Sequence, residues 1–194
     1  MIIQRLIDDR MVEIEIVLGD ITTQSAEVIV NAAHNSLMGG GGVDGAIHRA
    51  AGSSLLQECM ELEEVEPGIR CRVGEACLTS GGNLLSQYII HTVAPKFVGS
   101  IVNGVFKNSK EGTDEDLKAC YVNSITLAHL NHMNSIAFPS LGCGGHAYPI
   151  EIAAPIAIKS TLEALKEATN ISKVVFVCFS QSDYDEYVKS MKGI

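Results

Sequence analysis

Four consecutive glycines, Gly39–Gly42, stand between a short β-branched stretch, Val28 to Val30, and a helical one, Val43 to Ala51. Glycine loses more backbone entropy on folding than any other residue and gives no side chain to pack. Such a run is kept where the backbone must approach something closely or take positive φ. A second turn of this kind, Ser140-Leu141-Gly142-Cys143-Gly144-Gly145-His146-Ala147, follows the apolar stretch Ser135 to Pro139 and precedes a helical one. Both turns read as strand-to-helix junctions. Free amides and the positive dipole end at a helix N-terminus suit phosphate, and successive N–H groups in such turns can form an anion nest. No Lys or Arg occurs between Thr22 and Ile47, nor between Lys118 and Lys159. A phosphate held here is therefore held by neutral amides, which fits a diphosphate between two facing loops better than a triphosphate with magnesium. The competing reading is two tight turns that only reverse the chain.

The remaining chain alternates strand and helix patterns. Met11 to Leu18 (MVEIEIVL) alternates apolar and polar residues as a half-exposed strand does. Val28 to Val30 reads as a buried strand ending at Asn31. Val43 to Ala51 is a helix, and Ser53 caps its continuation through Met60. The acidic run Glu61 to Glu66 reads as a solvated helix end, broken by Pro67-Gly68. Glu75 to Ser80 and Tyr88 to Val93 are strands joined at Gly81-Gly82-Asn83. Lys96 to Gly112 is polar and irregular, a mobile surface loop. Thr113 with Asp116 forms a capping-box pattern that opens a helix to Asn131. Ser135 to Pro139 is a strand. Ile150 to Ala168 is a helix, although Pro155 sits awkwardly in it. Val174 to Cys178 (VVFVC) is apolar throughout, as a strand covered on both faces is. This order implies a three-layer α/β domain with a mostly parallel sheet, whose ligand sites collect at the strand C-terminal ends.

Composition narrows the function. The 194 residues fit one domain, and 46% of them are hydrophobic, enough for a core. The net charge of −9 opposes general nucleic-acid binding and docking on an anionic membrane. No apolar run reaches the length of a membrane span, and Asp8-Asp9 stand where a secretory signal needs apolar residues. The six cysteines contain no CxxC, so they read as reduced, mostly buried thiols rather than a metal site or disulfide framework. The expectation is a single acidic cytoplasmic domain over 1–194, a monomer with no metal and no cofactor. The P-loop pattern fails for want of its lysine. Gly142-x-Gly144-x-x-Ala147 matches the dinucleotide fingerprint in form. It comes late in the chain, however, and the acid about 20 residues on would be Glu163, in mid-helix.

Several segments read together resemble the macrodomain family, closest to its MacroD-type ADP-ribosyl hydrolase and O-acetyl-ADP-ribose deacetylase branch. They are Gly19-Asp20-Ile21-Thr22, Val30-Asn31-Ala32-Ala33, the block from Gly39 to Gly52 (GGGGVDGAIHRAAG), Ile90-His91-Thr92-Val93-Ala94-Pro95, Phe138-Pro139-Ser140, and Tyr148-Pro149. The resemblance covers nearly the whole chain, in order.

It implies a three-layer α/β/α fold with a mixed sheet and an ADP-ribose cleft across the sheet's C-terminal edge. Asp20 would accept from the adenine amino group, and the Ile21 backbone would contact the ring. Asp20 can equally be a helix cap. Gly41, Gly42, Val43 and Asp44 would face Gly142, Cys143, Gly144, Gly145 and His146, with Ser140 and Leu141, around the diphosphate and distal ribose. Phe179 would stack on adenine or pack in the core. Asn31 would hydrogen-bond the distal ribose hydroxyls, or serve a structural network. Asp44 is the candidate to orient or deprotonate water, against a role as first-turn dipole partner. His48 shares its helix face and would polarise or orient it, or be structural. His91 reads as a satisfied core residue.

The chain departs from the family at His34, where Asn is usual, and in its second loop, where the usual aromatic is His146. Cys143 raises a thiol nucleophile, for which a depressed pKa would be needed. The function implied is hydrolysis of ADP-ribose esters: mono-ADP-ribosyl groups on acidic side chains of a protein, or O-acetyl-ADP-ribose. A reader that binds ADP-ribose without cleaving it is the alternative, and a different nucleotide held by the same turns is a third.

Overall fold

The computed structural model describes residues 1–97, 99–102, 105–108 and 114–194. Strands are β1 (Ile2–Ile7), β2 (Arg10–Leu18), β3 (Val28–Ala32), β4 (Ala76–Ser80), β5 (Tyr88–Thr92), β6 (Gly99–Val102), β7 (Val105–Asn108), β8 (Ser135–Pro139) and β9 (Lys173–Cys178). Helices are α1 (Gly42–Ala51), α2 (Ser53–Glu61), α3 (Asp114–Leu130), α4 (Ile150–Glu167) and α5 (Gln181–Lys192), with a short 3₁₀ turn at Ile21–Thr23.

Seven strands form one sheet in the order β1-β2-β9-β8-β3-β5-β4. The five inner strands are mutually parallel, and β1 and β4 pair antiparallel at the two edges. The period of two in the strands sorts their side chains. Val174, Phe176 and Cys178 of β9 join Ile136 and Phe138 of β8 in a core under α3, α4 and α5. Val175, Val177 and Ala137 face the other way, onto Ile47, Ala51, Leu55 and Cys59 of α1 and α2. The expected three-layer mixed α/β architecture is therefore present, and VVFVC is covered on both faces.

Some local expectations need correction. Ser53 does not cap α2. Gly52, at φ +86°, occupies the cap without a side-chain bond, because the chain kinks there between α1 and α2. Within the stretch read as an irregular loop from Lys96 to Gly112, β6 and β7 pair as an antiparallel hairpin. The rest of that stretch from residue 98 on, and Thr113 of the expected capping box, lie outside the described residues. α4 continues through Pro155. Pro155 is the sixth residue of α4, so its ring removes the amide that would bond the Glu151 carbonyl.

Two elements went unassigned from sequence. β1 forms the sheet edge, and α5 is opened by Ser180, whose side chain accepts from the Asp183 amide. Ser180-x-x-Asp183 followed by Tyr184, Tyr187 and Met191 carried the signal for α5.

Candidate active site

The parallel strands all end at one edge, and the candidate residues follow them. Asp20 comes after β2, Phe179 after β9, the 140–147 turn after β8, the 33–41 turn after β3, and Val93-Ala94-Pro95 after β5. From β3 the chain leaves for α1 on one face, and from the adjacent β8 for α4 on the other. Adjacent parallel strands whose connections depart to opposite faces open a crevice between them.

Asn31 shares the parity of Ile29 in β3, so it points toward α1 and α2, where it is fully buried. Asp44 lies in the first turn of α1 and is 4% exposed. The two side chains meet: Asn31 Nδ2 donates to Asp44 Oδ1 at 2.8 Å. The same amide lies 3.1 Å from Nδ1 of His91, its register partner on β5. His91 Nε2 is in turn 2.9 Å from Thr79 Oγ1 on β4. Burial pushes the His91 imidazole down to about 3, with the nearby His48 ring adding to the shift, so it is neutral. His48, one helical turn after Asp44, brings Nε2 within 3.5 Å of Asp44 Oδ1. The buried Asn31 Oδ1 has no hydrogen-bond partner among the described residues. Glycine is needed where the turn lies over this group: a Cβ on Gly45 would stand 2.3 Å from the Gly40 carbonyl oxygen.

The two glycine turns differ. In the first, the backbone amides from Gly39 to Asp44 have no partner among the described residues, and no side chain caps α1. These are N–H groups at a helix N-terminus, the arrangement that suits an anion. The second turn folds on itself. Cys143 N–H bonds Ser140 O, Ala147 N–H bonds Gly144 O, and Tyr148 N–H bonds Gly142 O. The expectation that it opens a helix is corrected, since α4 begins at Ile150 behind Pro149. Tyr148 returns to Gly142 first, and the helix starts only beyond the proline. The amides of Gly144, Gly145 and His146 remain without a partner there among the described residues.

The other candidates are placed as follows. Asp20 caps the 3₁₀ turn, Oδ1 accepting from Thr22 N–H and Thr22 Oγ1, and is otherwise exposed. The side chains of Ile21 and Leu141 are buried in the two core layers, which leaves only their backbones for a ligand. His34 is exposed, and its Nδ1 accepts from Ser36 N–H, bracing the turn after β3. His146 donates from Nδ1 to the Ala94 carbonyl at 2.7 Å, which ties the second turn to the end of β5. Phe179 is 86% exposed, which removes the core-packing alternative. Burial pushes the Cys143 thiol up to about 12, the opposite of what a nucleophile needs. Val43 and Ser140 are half-buried at the mouths of the turns. An open depression of about 420 Å³ lies beside α1, lined by Met38, His48, Arg49 and Leu56 among others; it does not include Asn31 or the second turn. Among the described residues no cluster of His, Cys, Asp and Glu could hold a metal, and no helix is long and apolar enough to cross a membrane.

A sequence model described as Macro domain matches residues 30–157, a span holding Asn31, both glycine turns and His91. The chain belongs to the macro domain family. It is 45% identical to a macro domain-containing protein of Chlorobaculum tepidum over 92% of this chain and 95% of that one. It is 39% identical to O-acetyl-ADP-ribose deacetylase 1 of Pantoea vagans over 92% of this chain and 98% of that one. Among solved structures, an Oceanobacillus iheyensis macrodomain with ADP matches at TM-score 0.84 and 41% identity, covering 100% of this chain and 96% of that one. A Trypanosoma brucei macrodomain in complex with ADP-ribose matches at TM-score 0.77 and 35% identity, covering 92% of this chain and 68% of that one.

In this macrodomain the group that sequence reasoning set aside is His91. It is buried and hydrogen-bonded, as expected of a core residue, but one of its partners is Asn31. The signal lay in parity: Asn31 and His91 both stand next to last in parallel strands that pair in register.

Proposed function

We propose that this macrodomain, acting as one unit over 1–194, binds ADP-ribose across the crevice between β3 and β8 and hydrolyses ADP-ribosyl esters. Its substrates are mono-ADP-ribosyl groups on acidic protein side chains, or O-acetyl-ADP-ribose. The observation that carries the reading is the Asp44 carboxylate, 4% exposed and held by the Asn31 amide, directly behind a turn whose amides are unpartnered among the described residues. The name of the Pantoea vagans relative and the ligand of the Trypanosoma brucei structure support it.

In this reading the amides of Gly41, Gly42 and Val43 and those of Gly144 and Gly145 hold the diphosphate without basic side chains. Asp20 accepts from the adenine amino group, and the exposed Phe179 ring stacks on the base. Asn31 and Asp44 receive the distal ribose, with His34 and His146 at its margin. A water beside Asp44 attacks the acyl or anomeric carbon; the ester bond there breaks, and ADP-ribose and the free acid leave. Asp44 or a substrate phosphate oxygen takes the water's proton and returns it to the departing oxygen. Holding that water in place supplies several orders of magnitude in effective concentration.

A non-catalytic reader is the second reading, favoured by His34 and by the altered second turn. Mass spectrometry of a mono-ADP-ribosylated acceptor separates the two. The wild type should release ADP-ribose. Asp44→Ala should abolish release while keeping ADP-ribose affinity within about tenfold. Turnover unchanged in that variant removes Asp44 from the mechanism, and micromolar binding with no release by the wild type makes the protein a reader.

A further inference from the structure

The polarity of the buried chain from Asp44 to β4 can be worked out bond by bond. Asp44 is an acceptor, so the Asn31 atom 2.8 Å from its Oδ1 must be the amide nitrogen. A flipped Asn31 would set a carbonyl against a carboxylate. The second N–H of the same amide then points at His91 Nδ1, 3.1 Å away, which must offer a lone pair. His91 therefore carries its proton on Nε2 and donates it to Thr79 Oγ1 at 2.9 Å. The Thr79 hydroxyl passes its own proton to the Ser80 carbonyl at 3.3 Å. Each donor in the series has an acceptor. One atom is left over, the buried Asn31 Oδ1, which has no partner among the described residues.

We infer that His91 is a positioning residue: as the Nε2–H tautomer it takes the second amide proton of Asn31 and so commits the Asn31 carbonyl to accept a hydroxyl of the ligand's distal sugar. The inference rests on the proposed binding of ADP-ribose. Asn31 can then discriminate by acceptance alone, because both of its protons are already used within the protein. A ligand that ends at the diphosphate offers Oδ1 nothing. One with a sugar hydroxyl at that point removes the cost of a buried unpaired carbonyl. The groups around His91 are consistent with a neutral ring: Asn31 and Thr79 bond it, Cys59 Sγ lies 4.0 Å from Nε2, and the His48 ring centroid is 6.3 Å away. A proton on Nδ1 would face the Asn31 N–H directly.

Calorimetric titration of ADP-ribose and of ADP, which lacks the distal sugar, separates positioning from general structural support. His91→Phe keeps a ring but removes the acceptor. It should weaken ADP-ribose by about tenfold while ADP stays within about threefold of wild type. His91→Asn, which can offer an oxygen where Nδ1 stood, should recover ADP-ribose affinity to within about threefold. An unchanged ratio of ADP-ribose to ADP affinity in His91→Phe overturns the inference, as does equal loss for both ligands. Should His91→Phe fail to fold, nitrogen NMR of the wild-type imidazole decides alone: Nε2–H supports the inference and Nδ1–H overturns it. A wild type that binds neither ligand defeats the proposed function instead, whatever the tautomer.

Discussion

The two glycine-rich turns are alike in sequence and unlike in construction. The first leads from β3 into α1, leaves the amides from Gly39 to Asp44 unpartnered among the described residues, and brings Asp44 down onto Asn31. The second closes on itself through three backbone bonds and is tied to β5 by His146. The first therefore presents chemistry along with backbone. The second presents backbone from a braced wall, with the amides of Gly144, Gly145 and His146 left unpartnered among the described residues. Glycine content alone does not distinguish a turn that delivers a side chain from one that frames it; the hydrogen bonds do.

Acid should show the largest contrast between the two turns, because only the first is backed by a buried imidazole. His91 is pushed from its ordinary 6.5 to about 3 in the fold. As the pH drops below 6.5 the unfolded chain takes up this proton and the folded chain does not. The unfolded state then binds more protons, and stability falls progressively until about pH 3. Denaturant unfolding across this window should lose a few kcal/mol. The loss should be smaller in His91→Asn, and an identical slope in the two proteins would count against a buried neutral His91.

Matched alanine substitutions come next. Gly45→Ala drives a methyl to 2.3 Å from the Gly40 carbonyl oxygen and should cost about 1–3 kcal/mol in thermal unfolding. Gly145→Ala meets nothing within 4 Å and has no positive φ, so it should stay within about 0.5 kcal/mol. Equal costs would erase the distinction between the turns. The smallest effect on stability belongs to Phe179→Ala at the proposed adenine end. Its ring is 86% exposed, so melting should barely change. ADP-ribose affinity should nonetheless fall by the equivalent of about 1–3 kcal/mol of lost base stacking, measured by calorimetry.

Much of this site was legible in the sequence. The strand ending at Asn31, the helix carrying Asp44 and His48 on one face, and the two glycine turns all lie where local pattern puts them. Cys143, for which a nucleophilic role would need a depressed pKa, is a half-buried thiol shifted upward instead. The errors share a cause. Ser53 and the second turn were assigned from caps and glycines in a short window, while the chain there answers to contacts elsewhere: Gly52 bends between two helices, and Tyr148 folds back on Gly142. β1 was not assigned because an edge strand is recognised by its partner, and β1 is defined by pairing with β2.

Local periodicity and glycine placement were enough to determine a layered α/β chain with anion-ready turns at its strand ends, since burial and backbone freedom act over a few residues. Which strands become neighbours was decided only in three dimensions. Laying β3 between β8 and β5 sets the two turns beside one crevice and brings His91, 60 residues along the chain, against Asn31. No short window contains that juxtaposition, because the order of strands in a sheet is set by how the helices on both faces bury their apolar sides together.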